Sequence, residues 1–226
     1  MKTIAIVDCA INEPSIACYY RLLKLGFPVS YHSARDFGLS TLENIDEFHA
    51  AFIFGSNSNV VDNETWHKEL GAWGTKALKN GLPILGICFG HQLMCHQLGA
   101  DIIKSQQPVS NCKGTRLVKL KKSFGQIEPW NELEFVVSHS YKVANLPDSL
   151  EEISVSDFSN DIVEHKVLPF VGIQPHPEAS DHFINTELCN SDPVPQINLD
   201  RTKVDGIRFI SNFVRKYCHD LRYYEF

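Results

Sequence analysis

The chain has 226 residues, of which 43% are hydrophobic and 21% are charged, and its formal net charge is -6. This composition is typical of a globular protein with its own core, and the lack of a long basic run argues against nucleic acid as the main partner. No apolar run approaches membrane-spanning length, so we expect no membrane association. The seven cysteines form no CxxC pair and no metal-type spacing. We therefore expect reduced thiols, a cytoplasmic location and neither a metal nor a cofactor.

Short apolar runs alternate with helical patterns through the first 98 residues. Strands are predicted at 3–7, 28–32, 50–54 and 84–87. Helices are predicted at 15–25, 42–48, 64–79 and from 89 to about 98. This alternation predicts an α/β fold with a mostly parallel sheet and helices on both of its faces.

The pattern changes after residue 100. Strands are predicted at 115–121, 134–138 and 151–157, and a hairpin is predicted within 162–174. These strands have no long helix between them, so we expect an antiparallel β extension of the sheet. Residues 179–203 show no clear periodicity and are predicted to be an irregular insertion, before a final amphipathic helix at 204–221. No linker is visible, so we predict a single domain over residues 1–226.

A cysteine lies at the corner between a predicted strand and a predicted helix. The apolar run 84–87 leads directly into Cys88, and small residues flank it at Gly86 and Gly90. A tight turn of this kind pushes a side chain out of the sheet, and the following helix N-terminus favours a thiolate. Cys88 is therefore a candidate nucleophile, although a lone cysteine in this position is also commonly a small buried hydrophobe.

A histidine and a glutamate follow the second strand of the predicted hairpin. His176 and Glu178 are separated by Pro177 and preceded by Pro175. Both prolines push the residue before them away from helix, and in an extended segment residues i and i+2 project to the same side. The segment can thus hold a carboxylate beside an imidazole, as a Cys–His–carboxylate system requires. The alternative is a solvent-facing loop. His91 and His96 are weaker candidates for a base, because the helix carries them away from Cys88.

The two motifs together resemble those of the class I (triad) glutamine amidotransferases. The first is Gly86-Ile87-Cys88-Phe89-Gly90-His91-Gln92 and the second is Gln174-Pro175-His176-Pro177-Glu178. The resemblance covers most of residues 1–178 and includes the segment 138–143, which is similar to a stretch in GMP synthase glutaminase domains. Within the family, the chain is most similar to stand-alone GMP-synthase-like proteins. The resemblance implies a Rossmann-like, flavodoxin-type fold.

The resemblance also implies a reaction and a set of site residues. The reaction is hydrolysis of the glutamine γ-amide through a γ-glutamyl thioester, with release of ammonia. Cys88 would be the nucleophile, His176 the base and then the acid, and Glu178 the group that orients His176. The oxyanion hole would use the N–H of Phe89 and the turn at Gly55 and Ser56. Gln92, Ser138 and His139 would line the substrate pocket.

Two departures from the family pattern keep other substrates open. Gly55-Ser56-Asn57 replaces the usual Gly-Gly-Pro, and Tyr141 lies where the family has an aspartate. One alternative is therefore a γ-glutamyl hydrolase that acts on a small γ-glutamyl conjugate, and another is a non-catalytic binding module. The sequence contains no P-loop and no ATP pyrophosphatase motif, so we expect any ammonia-accepting synthase to be a separate partner chain.

Overall fold

A computed structural model describes residues 1–106, 112–155, 159–188 and 199–221. The strands are β1 Thr3–Asp8, β2 Val29–Ser33, β3 Phe48–Ile53, β4 Ile84–Ile87, β5 Asp101–Lys104, β6 Lys113–Leu120, β7 Glu132–Ser138, β8 Tyr141–Ala144, β9 Leu150–Glu152, β10 Ser154–Val155, β11 Ile162–His165 and β12 Phe170–Ile173. The helices are α1 Ile16–Lys24, α2 Ala34–Phe37, α3 Thr65–Lys79, α4 Phe89–Gln97, α5 Asp181–Leu188 and α6 Leu199–Tyr217. Short 3₁₀ turns lie at Ser40–Leu42, Ile45–Glu47, Val60–Asp62 and His219–Leu221.

The main sheet has seven strands in the order β2-β1-β3-β4-β12-β11-β9. The first five strands pair in parallel, and β11 pairs antiparallel with both β12 and β9. Two smaller sheets, β10-β6-β7 and β5-β8, are antiparallel. The parallel part has the strand order of flavodoxin-type folds. The predicted fold class, with its mostly parallel sheet and antiparallel extension, is confirmed.

Helices cover both faces of the sheet because successive side chains of the central strands point in opposite directions. In β1, Ile4 and Ile6 contribute to a core with α1 and α6, whereas Ala5 and Val7 contribute to a core with α3 and α4. All four side chains are fully buried. Burial of each branched side chain of this size stabilises the fold by about 1.5–3 kcal/mol.

The structure differs from the predicted elements in several places. Strands β5 and β8 were not predicted, and the predicted helix at 42–48 is replaced by two 3₁₀ turns before β3. The predicted strand at 151–157 is divided between β9 and β10, which belong to different sheets, and residues 156–158 lie outside the described residues. Helix α6 begins at Leu199 rather than at 204.

The prediction that 179–203 is irregular was wrong for part of that segment. Helix α5 occupies Asp181–Leu188 and α6 begins at Leu199, whereas 189–198 lies outside the described residues. Helix α5 forms because Ile184 and Leu188, four residues apart, bury one face against Val136 and Ala179. The single-domain organisation stays a prediction.

Two further observations concern composition. The described cysteines are free and buried, and Cys189 lies outside the described residues. In the part of the chain that the structure describes, no helix has both the length and the apolar character needed to cross a bilayer.

Candidate active site

Cys88 lies where the carboxyl ends of three parallel strands meet. Its backbone N–H donates a hydrogen bond of 2.8 Å to the carbonyl of Ile173, the last residue of β12. Its φ is 51° and its ψ is -101°, a left-handed conformation that costs a residue with a side chain about 1–3 kcal/mol. The chain turns here directly from β4 into α4. This sharp corner is the geometry of a nucleophile elbow.

Two glycines allow the corner to close. A Cβ atom at Gly90 would lie 2.1 Å from the carbonyl oxygen of Ile53, and one at Gly86 would lie 2.7 Å from the carbonyl oxygen of Gly90. No side chain fits at either distance. The small residues around Cys88 are therefore required by close backbone approach.

His176 and Glu178 form a buried pair beside Cys88. The His176 N–H donates to the carbonyl of Val136 at 2.8 Å, which joins the segment after β12 to β7. Its Nδ1–H donates to Glu178 Oε1 at 2.9 Å. Both side chains are almost fully buried, and Nε2 of His176 has no hydrogen-bond partner among the described residues. The bond to Glu178 fixes the tautomer that leaves Nε2 available to accept a proton.

The imidazole and the thiol are neighbours. A Cβ placed on Gly55 would lie 2.8 Å from His176 Cε1 and 3.5 Å from Cys88 Cβ, so both side chains border the same small space. Burial lowers the pKa of His176, but the charges of Glu178 and Cys88 outweigh it. The pKa of His176 therefore lies well above its ordinary value. Such an imidazole holds a proton well beside Cys88.

On the other side of Cys88, two glutamine side chains form a short chain of hydrogen bonds. Gln92 Nε2 donates to the carbonyl of Tyr141 at 2.8 Å and to Gln174 Oε1 at 3.1 Å. Gln174 Nε2 in turn donates to Cys88 Sγ at 3.7 Å. Gln174 has no exposed surface. Its amide group therefore points a donor at the sulfur, which is a role that the sequence analysis did not assign.

His139 is held by a buried ion pair. Its Nδ1–H donates to the carbonyl of Tyr141 at 3.0 Å, and its Nε2 accepts from Arg116 at 3.2 Å. Arg116 forms a buried ion pair with Asp161. Burial, and then the charge of Arg116, lower the pKa of His139 to about 4, so its ring is neutral at pH 7. Arg116 and Asp161 were also missed, because nothing in the sequence links positions 45 residues apart.

Two cavities meet at Cys88. The first, here the Gln92 cavity, has a volume of about 400 Å³ and is lined by Gln92, His139 and Tyr141 and also by Lys104 and Lys113. The second, here the Phe183 cavity, has a volume of about 220 Å³ and is lined by His176, Glu178 and Phe183. Cys88, Ser56, Asn57 and Ser138 line both cavities.

The structure brings all of the sequence-predicted site residues to these two cavities. Gly55 and Ser56 line the Phe183 cavity, and Phe89 lines the Gln92 cavity at the start of α4, where N–H groups lack partners within the helix. Ser56 has an ordinary negative φ. The serine in place of the family glycine is thus accommodated without strain, and its Oγ accepts from the N–H of Ser58 at 3.0 Å.

His91 does not join this group. It is fully buried, its Nδ1 lies 3.5 Å from Cys95 Sγ, and burial lowers its pKa to about 3. It is a core residue packed against Gly172. Within the described residues no cluster of three or more His, Cys, Asp or Glu side chains could hold a metal ion.

Residues 17–191 match the family model described as Glutamine amidotransferase class-I. The chain belongs to this family. A GMP synthase [glutamine-hydrolyzing] from Desulfotalea psychrophila is 28% identical over 153 residues, which are 66% of this chain and 29% of that protein. A subunit of the GMP synthase [glutamine-hydrolyzing] of Methanocaldococcus jannaschii is 30% identical over 116 residues, covering 51% of this chain and 61% of that subunit. The matched stretches span only 29%, 21% and 36% of the lengths of three of the curated relatives.

Solved structures of glutamine amidotransferases share the fold. The crystal structure of one from Methylobacillus flagellatus gives a TM-score of 0.69 at 18% identity, covering 96% of this chain and 91% of that one. Another, from Thermotoga maritima, gives a TM-score of 0.67 at 17% identity, covering 98% and 96%. At these identities the similarity concerns the fold alone.

Proposed function

We propose that the protein hydrolyses the γ-amide of glutamine through a triad of Cys88, His176 and Glu178. The observation that carries this proposal is the position of Cys88 in a strained elbow beside an imidazole whose other nitrogen is bound to a buried carboxylate. This is the arrangement of nucleophile, base and orienting group that acyl transfer requires. It also disfavours the non-catalytic binding module, because a strained cysteine is costly to keep without a chemical use.

The reaction would proceed in two stages. His176 Nε2 holds the proton of the Cys88 thiol as Sγ attacks the amide carbon, and His176 then gives that proton to the leaving nitrogen. Ammonia leaves and a γ-glutamyl thioester remains. Water, deprotonated by His176, then attacks the thioester and releases glutamate and the free thiol. The N–H of Phe89 and an N–H of the Gly55–Ser56 turn would stabilise the oxyanion of both tetrahedral intermediates.

The Gln92 cavity would hold the γ-glutamyl group. Gln92, Ser138 and His139 line this cavity together with Cys88, and Lys104 and Lys113 also line it. The two lysines could meet the α-carboxylate of the substrate. None of the described lining residues of this cavity is Asp or Glu. Tyr141, which replaces the family aspartate, presents its carbonyl to Gln92 and His139 instead.

Ammonia released at Cys88 would pass to a separate synthase. Relatives of this chain are named GMP synthase, and in Methanocaldococcus jannaschii the matching protein is named as one subunit of that enzyme. These names support a partner chain that consumes ammonia, and we propose that both chains act in the cytoplasm.

An ammonia-release assay with glutamine tests the proposal. The Cys88→Ala variant should lose roughly 10⁴-fold or more in rate, because removal of a nucleophile disables the whole triad. Cys218→Ala, which removes a buried thiol outside both cavities, is the matched control. A chloromethyl ketone analogue of glutamine should label Cys88, with or without a partner protein. If the analogue does not label Cys88 and no amide is hydrolysed, the proposal is wrong.

A further inference from the structure

The Phe183 cavity is larger than ammonia requires. Its volume is about 220 Å³. A small molecule such as water occupies roughly 30 Å³ in the liquid, and ammonia is of similar size. Loss of ammonia alone therefore leaves most of this cavity without a use in the reaction.

The cavity lies on the leaving-group side of Cys88. In acyl transfer the attacked carbon carries the acyl chain and the leaving nitrogen as separate substituents, and the general acid must reach the leaving nitrogen. Of the two cavities that meet at Cys88, only the Phe183 cavity is lined by His176 and Glu178. A group attached to the amide nitrogen would therefore enter the Phe183 cavity.

The lining of the cavity combines an apolar surface with polar side chains. The Phe183 ring packs on His176 with a centroid separation of 4.6 Å, and Ala17 and Cys18 of α1 contribute further apolar surface. Burial raises the pKa of the Cys18 thiol to about 12, so this side chain is neutral at pH 7. Glu13 and His182 form an exposed ion pair of 3.0 Å and also line the cavity. The surface formed by Phe183, Ala17 and Cys18 suits an alkyl or aryl chain.

We propose that the Phe183 cavity binds the N-substituent of a γ-glutamyl amide whose amine carries an alkyl or aryl group. This proposal rests on the triad chemistry given above and specifies its substrate class. Cys88 Sγ forms the thioester bond as the C–N bond breaks, and His176 transfers the thiol proton to the departing amine. Water then cleaves the thioester, so the products are glutamate and a free primary amine, with no oxidant or reductant involved.

A series of γ-glutamyl amides tests the proposal. Glutamine is compared with the methyl-, butyl- and phenethylamides, and because methylamine and butylamine are equally basic, the step from methyl to butyl isolates the effect of the chain. The kcat/KM should rise along the series, with the butylamide exceeding glutamine by about tenfold or more, because the chain is buried against apolar walls. A flat or falling series, with glutamine hydrolysis still dependent on Cys88, would overturn this proposal and leave the triad chemistry intact.

Filling the cavity provides a second test. In Ala17→Leu the larger side chain occupies space in the Phe183 cavity, so the ratio of kcat/KM for the butylamide to that for glutamine should fall about tenfold. Ala72→Leu makes the same change on the exposed surface of α3, outside both cavities, and should leave the ratio as in the wild type. An unchanged ratio in Ala17→Leu would overturn the proposal. If the wild type hydrolyses none of the amides, the triad chemistry on which this proposal rests is itself wrong.

Discussion

The His176 side of Cys88 is held mainly by backbone hydrogen bonds, whereas the Gln92 side is held by side chains. On the first side, Cys88 and His176 are fixed by main-chain bonds to β12 and β7 within two short motifs. On the second side, a chain of bonds joins Gln174, Gln92, His139, Arg116 and Asp161, which come from five separate parts of the fold. We infer that the two sides respond differently to substitution.

The largest expected effect comes from Arg116→Met, which breaks the ion pair at the far end of the side-chain network. Asp161 would be left as an uncompensated buried charge, so the free energy of unfolding should fall by about 3–5 kcal/mol. Urea denaturation measures the change, and Arg35→Met, at an exposed ion pair, is the control. The double variant Arg116→Met/Asp161→Leu should regain much of the loss, because no unpaired charge remains.

The same variant separates the two sides of the site. Below its unfolding transition, Arg116→Met should show a raised KM for glutamine, since His139, which lines the Gln92 cavity, loses its hydrogen bond from Arg116. The alkylation rate of Cys88 by iodoacetamide should stay close to that of the wild type. If alkylation falls as much as substrate binding, the two sides are not independent and the comparison fails.

Glu178→Gln should act on the His176 side. The charge of Glu178 is the largest of the influences that raise the pKa of His176, so its removal lowers that pKa. Because the imidazolium then loses its proton at lower pH, the alkaline limb of the kcat/KM profile should move to lower pH. We expect a rate loss of roughly 10²-fold with KM little changed. Glu69→Gln on the exposed face of α3 is the control, and a profile identical to that of the wild type would contradict the assigned role.

Gln174→Met should give a smaller effect that links the two sides. Its amide group donates to Cys88 Sγ, and a hydrogen bond to a charged group contributes about 1.5 kcal/mol or more. The iodoacetamide rate at Cys88 should therefore fall about tenfold at neutral pH, and Gln174→Glu should fall further by repulsion of the thiolate. Gln97→Met, at an exposed position on α4, is the control. Equal rates in Gln174→Met and the wild type would show that Gln174 only fills space.

The difference between the two sides also explains what the sequence could predict. The elbow and the His176–Glu178 pair are contiguous motifs whose turns are set by local glycines and prolines, so their geometry follows from neighbouring residues. Arg116 and Asp161 meet only because β6 and the start of β11 lie close together in the folded chain. Helix α5 was missed because its apolar face is completed by Val136 on a distant strand. Such contacts depend on the tertiary structure.

The conformation of Cys88 has a consequence for the thermodynamics of the whole chain. A side chain at a φ of 51° raises the free energy of the folded state, and glycine at the same position would relieve that penalty. We expect Cys88→Gly to raise the free energy of unfolding by about 1 kcal/mol, so that it unfolds at a higher urea concentration than the wild type. The same variant should lose all turnover. Selection for stability and selection for chemistry then oppose one another at a single atom, Cβ of Cys88. A thermostable but inactive descendant of this chain would be only a single base change away.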